Sequence, residues 1–159
     1  MKEHQLGAAL SELLSGQNLK DKQGEAMMLL TTDEDGWPHV AMISVGEIVA
    51  LEDGSLRIGL WPGTATSSNI RRTGKATLAV FYSGSAHYVR LALSPLTASS
   101  ESAYPRDRYA AEVVAAKEDK AKYADIISGV TIRLKEPEEV IARWQETVRD
   151  LKDDSVRDS

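Results

Sequence analysis

Between Trp61 and Asn69 the chain reads Trp-Pro-Gly-Thr-Ala-Thr-Ser-Ser-Asn. Thr64, Thr66, Ser67 and Ser68 bring hydroxyls to a turn that runs into a short helical stretch, Ser67 to Arg72. Hydroxyls and backbone N–H groups at a helix start can seat a phosphate or carboxylate. The same residues also read as a polar loop in which Thr66 or Ser67 only caps the helix. Trp61 adds a large flat face, suited to a ligand or to a subunit interface. Further along, Arg90 shares a strand face with Tyr88. A cation there suits an acidic ligand, and equally a surface ion pair. His39 and His87 lie outside the N-terminal tail, and neither has a sequence neighbour that makes a catalytic dyad. Two histidines make no metal site, and without cysteine there is no thiolate chemistry and no disulfide. The acidic runs at 33–35, 136–139 and 150–154 lack the spacing of a calcium loop and read as solvated turns and helix ends. No Ser-His-Asp signal and no glycine-rich dinucleotide fingerprint is present.

The elements that position these residues follow from composition and period. With 159 residues, 42% apolar and 27% charged, the chain is expected to be one globular domain over 1–159. A formal charge of −5 makes nucleic acid a poor partner, and no apolar run reaches the length of a membrane span. The N-terminus carries no signal-peptide pattern, so a cytoplasmic protein is expected. Residues 1–24 read as an amphipathic helix, roughly 3–15, and a polar loop. Residues 25–134 read as a barrel with inserted helices. Its strands are 26–31, then 39–45, continuing or re-forming over 47–51 after a bulge at Gly46, then 56–61, 75–82 and 87–93. Hairpin turns fall at 32–36, 52–55 and 83–85, and Gly74 closes the short helix. Pro95 is expected to end the fifth strand. Pro105 then opens a helix with the stripe Ala110, Val113, Val114 and Lys117, and Tyr123, Ile126 and Ile127 mark a second helical piece. A sixth strand follows at 130–134, and a helix at 137–151 with Val140, Trp144, Val148 and Leu151 on one face. Residues 152–159 read as a frayed tail. The pattern is mainly β: a β-barrel of six or more antiparallel strands with peripheral helices.

Two stretches and their spacing carry a family resemblance. Thr31-Thr-Asp-Glu-Asp-Gly-Trp-Pro-His39 is followed by a strand, the Asp53-Gly54 turn, another strand and the polar loop. Asn69-Ile-Arg-Arg-Thr-Gly-Lys-Ala-Thr-Leu-Ala-Val80 comes next. Together they resemble the pyridoxamine 5'-phosphate oxidase-like proteins, over roughly 25–93. The resemblance implies a split β-barrel, a homodimer, and FMN bound in grooves at the subunit interface. It places Gly59, Leu60 and Trp61 beside the flavin ring, Thr64, Thr66, Ser67 and Asn69 near the phosphate, and Tyr88 and Arg90 along the groove. The basic residues that usually hold the phosphate in that family align here with Ala41, Gly46, Ala65 and Thr66. Between Glu25 and Ile70 the one lysine or arginine is Arg57.

The resemblance thus implies an FMN-dependent oxidoreductase acting on a small molecule. Two alternatives stand beside it on the same fold: a non-catalytic protein binding flavin, haem or another small ligand, and a cofactor-free dimer whose groove is filled by side chains such as Trp61. No catalytic residue is assigned, and no metal site.

Overall fold

The computed structural model describes residues 4–97 and 105–153. Strand β1 (Glu25–Thr32) pairs antiparallel with β2 (Pro38–Ser44) across the turn containing Asp35 and Gly36, as the Asp-Gly signal predicts. The chain does not continue β2 through a bulge at Gly46. It turns a corner over 45–47 and starts a separate strand, β3 (Ile48–Ala50), which pairs with β4 (Leu56–Leu60). β2 and β3 end at opposite edges of one curled antiparallel sheet, ordered β2, β1, β5 (Lys75–Tyr82), β6 (Ser85–Pro95), β7 (Asp107–Asp119), β4, β3. The corner needs glycine for a packing reason: a Cβ at position 46 would lie 1.9 Å from the Trp144 ring.

Strands β5 (Lys75–Tyr82) and β6 (Ser85–Pro95) form a hairpin in register from Lys75–Ala92 to Tyr82–Ser85. Its tip, Ser83-Gly84, has φ of 54° and 80°, the twist a two-residue turn requires. Pro95 ends β6, as expected, and itself still pairs with Tyr109; a proline is tolerated at a strand terminus.

The largest departure from expectation is at 107–119. These residues form no helix; they are β7 (Asp107–Asp119), the longest of the described strands. Alanine, glutamate and lysine favour a helix, but β4 and β6 each offer an unpaired edge, and β7 fills the gap with ladders to both. Tyr109 and Ala111 point into the core, which decides the matter over propensity. The second helical piece is also absent: Tyr123 and Ile127 are exposed in irregular chain. The sixth strand shrinks to β8 (Val130–Thr131), paired with Glu25 and Ala26.

Three α-helices among the described residues surround this split β-barrel. Helix α1 (Ala8–Leu13) is shorter than the predicted 3–15 and seals one side with Leu10, Leu13 and Leu14; residues 1–3 lie outside the described ones. The loop after it contains a 3-10 turn, Leu19–Lys22, whose Lys22 ammonium donates to the Glu12 and Gln17 carbonyls. Helix α2 (Ala65–Thr73) ends at Gly74 with φ of 68°, the left-handed cap that glycine permits. Helix α3 (Pro137–Lys152) starts on its proline and buries Trp144, Val148 and Leu151. The expected frayed tail, 154–159, lies outside the described residues. No helix among the described residues is long and apolar enough to cross a membrane.

Candidate functional site

The hydroxyl-rich loop after β4 is tied into the fold. Thr64 is the N-cap of α2, its Oγ1 accepting from the Ser67 N–H at 3.2 Å. The cap is therefore Thr64 rather than Thr66 or Ser67. Thr66 is buried. The Ser67 hydroxyl donates to Asp107 Oδ2 at 2.6 Å and lies 2.5 Å from the Tyr109 hydroxyl. Asn69 Nδ2 donates to Thr31 Oγ1 and Asp33 Oδ1, and its Oδ1 accepts from Arg72. These bonds fasten α2 to β1 and β7. To bind a phosphate, the side chains of Ser67 and Asn69 would first have to release these partners. The nearby cations are also engaged: Arg71 with Asp107 and the Tyr109 hydroxyl, Arg72 with Asn69 and the Thr32 carbonyl.

The remaining expected residues separate. Leu60 is in the core, and Gly59 faces α3, where an added Cβ would touch Thr147 and Leu151. Tyr88 is half-buried with its ring edge-on to Phe81. Arg90 is exposed on the outer face of the sheet, in a groove of about 430 Å³ shared with Leu30, Thr77, Lys75 and Val114. Trp61 lies elsewhere, 51% exposed, at the edge of a cavity of about 260 Å³. Trp61 and Arg90 thus line different concavities within one chain.

The Trp61 cavity is bounded by β2, the corner 44–47, the chain after β8 and α3. Met42, Ile43, Leu134, Val140 and Trp144 give it apolar walls. Its polar end holds three residues that the sequence does not advertise. The Arg106 guanidinium lies 3.7 Å from the centre of a Trp61 ring, and that of Arg143 lies 5.8 Å away. Glu47 Oε1 accepts from both the N–H and the hydroxyl of Ser44, each at 2.8 Å. Burial pushes the Glu47 carboxyl above its ordinary range, against the opposing pull of the Ser44 hydrogen bonds and of Arg106 and Arg143. Arg106 is lowered by burial and then by the like charge of Arg143, with Glu47 partly offsetting both.

Arg106 escapes a sequence reading because it meets Trp61 only through β7, which reads as a helix. Leu60 opposite Asp107 is the last pair of the β4–β7 ladder, and Trp61 and Arg106 are the next residues outward. Arg143 escapes because an apolar stripe draws attention to Trp144, not to its neighbour. His87 is buried with Nε2 3.2 Å from the Tyr82 carbonyl oxygen, and His39 sits 3.7 Å from Asp33. Among the described residues no group of histidines and carboxylates is arranged to hold a metal.

No family model matches the chain. It is 53% identical over 143 residues to the uncharacterized Bacillus subtilis protein YclD, a match spanning 90% of this chain and 93% of that one. Among solved structures, a candidate pyridoxamine 5'-phosphate oxidase of Lactobacillus delbrueckii superposes with a TM-score of 0.58 at 16% identity, over 74% of this chain and 97% of that one. An F420 reductase gives 0.51 at 13% identity, over 70% and 98%. HupZ of group A Streptococcus gives 0.50 at 15% identity, over 74% and 98%. At such identities the likeness is one of fold.

Proposed function

Because the chain belongs to the family of the Bacillus subtilis protein YclD and has the pyridoxamine 5'-phosphate oxidase-like split-barrel fold, we propose that it binds a flavin, FMN in the first instance, and acts as a flavin-dependent oxidoreductase on a small molecule. The observation that carries this reading is the cavity beside Trp61. It joins a half-exposed indole, apolar walls and charged groups at the end of β4, the combination that holds flat, polar-edged ligands. The residues fit such a ligand there better than on 64–69, whose buried side chains already have partners inside the fold. A bound flavin supplies hydride or single-electron transfer; the chain's part is to hold and orient it and to set the charge around it. Trp61 would flank the ring, and Met42 and Trp144 would keep water from the inner side.

Two copies complete the site in this reading. The outer face of the sheet leaves Val40, Met42 and Val114 about half exposed, and Trp37 more so. Such an apolar face suits a second copy of the chain, and Met42 joins it to the Trp61 cavity.

A non-redox ligand-binding protein is the second reading, favoured by one observation. Helix α3 covers the face of Gly59, and the 260 Å³ left within one chain is just under the usual volume of cofactor sites, about 300 Å³ and up. Titration with FMN, followed by reduction of the bound flavin with NADH or NADPH, separates the two. Bound flavin that a pyridine nucleotide reduces supports the oxidoreductase. Bound flavin inert to both nucleotides favours the binding protein.

A further inference from the structure

Strand β7 ends at Asp119, opposite Ala86, and Gly129 abuts Phe81, where an added Cβ would lie 2.7 Å from the carbonyl oxygen. Phe81 and Ala86 are paired with each other. Both ends of the segment 120–128 therefore sit beside one cross-strand pair, roughly two strand spacings or about 10 Å apart. A chain of that length can span about 30 Å, so it bows away from the sheet. Every residue from Lys120 to Ser128 is exposed except Ile126. Tyr123 and Ile127 are each 93% exposed, the highest values among the large hydrophobics of the described residues. Left in water, two such side chains add nothing to the fold. The outer face of the same chain offers a receptor with matching features. The groove of about 430 Å³ has Leu30 and Val114 as apolar walls and Arg90 and Lys75 as its charged groups, with no acidic residue in its lining. Arg90 and Lys75 make no ion pair among the described residues. Val114 stands at the β7 bulge, between Val113 opposite Leu91 and Ala115 opposite Arg90. Along 123–127 the one charge is Asp125, set between the two exposed apolar residues. Within one chain the two features do not meet. The segment leaves at the Phe81 end of β5, and the groove lies at its Lys75 end, about 20 Å away along the strand.

We propose that residues 123–127 are an arm that docks on a second copy of this chain, with Tyr123 and Ile127 against Leu30 and Val114 of the partner's outer-face groove and Asp125 paired with its Arg90. A two-fold axis running across the strands lays the Phe81 end of one sheet over the Lys75 end of the other. Both arms then dock at once, as an isologous pair requires. The groove is continuous with the apolar face that suits a second copy, since Leu30 pairs with Val40, and Met28 beside it with Met42. A buried tyrosine adds about 150–250 Å², less than the roughly 800 Å² per partner of a stable interface. The arms therefore extend the contact between sheet faces and do not replace it. The arm rests on the two-copy part of the reading above and is independent of flavin.

The test is sedimentation equilibrium of the full chain from nanomolar to high micromolar concentration. Wild type is compared with Asp125→Arg, with Arg90→Asp, with both exchanged together, and with Tyr123→Ser and Ile127→Ser combined. All four side chains are exposed, so the substitutions leave the fold intact, which circular dichroism verifies. Each single charge reversal should weaken the dimer about tenfold, and the double exchange should restore it to within about threefold of wild type. The combined serine variant should weaken it about a hundredfold or more. A wild-type dimer that all of these variants leave unchanged overturns the arm and leaves the two-copy reading standing. Weakening by both reversals with no recovery in the double exchange overturns the pairing of Asp125 with Arg90. A wild-type monomer at every concentration overturns the arm and the two-copy reading together. If that monomer co-sediments with vesicles of phosphatidylcholine and phosphatidylglycerol, and the serine variant does not, the segment serves a lipid surface in place of a second copy.

Discussion

Glu47 is a carboxyl whose burial works against its ionisation. Unfolded, it loses its proton in the ordinary carboxylate range, near pH 4.3. Folded, it does so at higher pH, chiefly because it is buried. Between those two values the unfolded chain binds fewer protons than the folded one, so this group's contribution to stability is present below the window and lost as pH rises through it. Glu47→Gln keeps an oxygen acceptor for Ser44 and removes the titration. The variant should therefore gain on wild type as pH rises from about 4 toward neutrality, and then level off. Urea unfolding of both proteins across that range measures it; a pH-independent difference would sink the assignment. Arg57 shows how far strand alternation can be read. It alternates with Leu56 and Ile58 along β4, yet the side it faces is no solvent face. Helix α3 covers it, leaving Arg57 only 2% exposed and bonded to the Leu151 carbonyl. Arg57→Ala would leave that carbonyl without its donor and open a cavity, costing roughly 3 kcal/mol in chemical denaturation. A change under about 0.5 kcal/mol, typical of exposed sites, would contradict the buried role.

Helix α3 holds its place through Trp144 over Gly46. The stripe Val140, Trp144, Val148, Leu151 was legible because helical period alone reports the buried face. That Trp144 needs a glycine beneath it was not legible, since the partner lies at a corner that reads as a bulge. Trp144→Ala should lower stability by roughly 3–5 kcal/mol. Gly46→Ala should also destabilise, since the Cβ would sit 1.9 Å from the indole. The two should not add: once Trp144 is alanine, Gly46→Ala should have little further effect. Additive losses in that cycle would mean that the backbone at 46, not the indole, demands glycine. The β5–β6 hairpin, α2 with its glycine cap and α3 were all readable from turn residues and period. Strand β7 was not, because its composition speaks for a helix while its neighbours' free edges decide for a strand. The Trp61–Arg106 contact was lost with it: the two meet only across the β4–β7 ladder, and no spacing in the chain encodes that contact.

At the scale of the whole molecule, one curled sheet buries its inner face on α1 and the barrel core while the outer face keeps apolar side chains in water. Val40 and Met42 on β2 and Val114 on β7 are each about half exposed there. We expect two chains per particle in sedimentation at micromolar concentration, and Val40→Glu, away from the Trp61 cavity, should shift the particle toward one chain by placing a charge in an apolar contact. A wild-type monomer would argue against a shared groove. The split barrel itself was foreseeable from hairpin signals at regular spacing, whereas the position of the ligand cavity depends on how α3 and β7 close over the end of β4. If this cavity receives a flavin against Trp61, flavin titration of the purified chain, with Trp61→Ala alongside, reads it most directly. Saturable binding of one FMN per chain is expected, weakened about tenfold or more by Trp61→Ala, in the range expected when a stacked aromatic is removed. No binding of either FMN or riboflavin to the wild type, or binding that Trp61→Ala leaves unchanged, would contradict it.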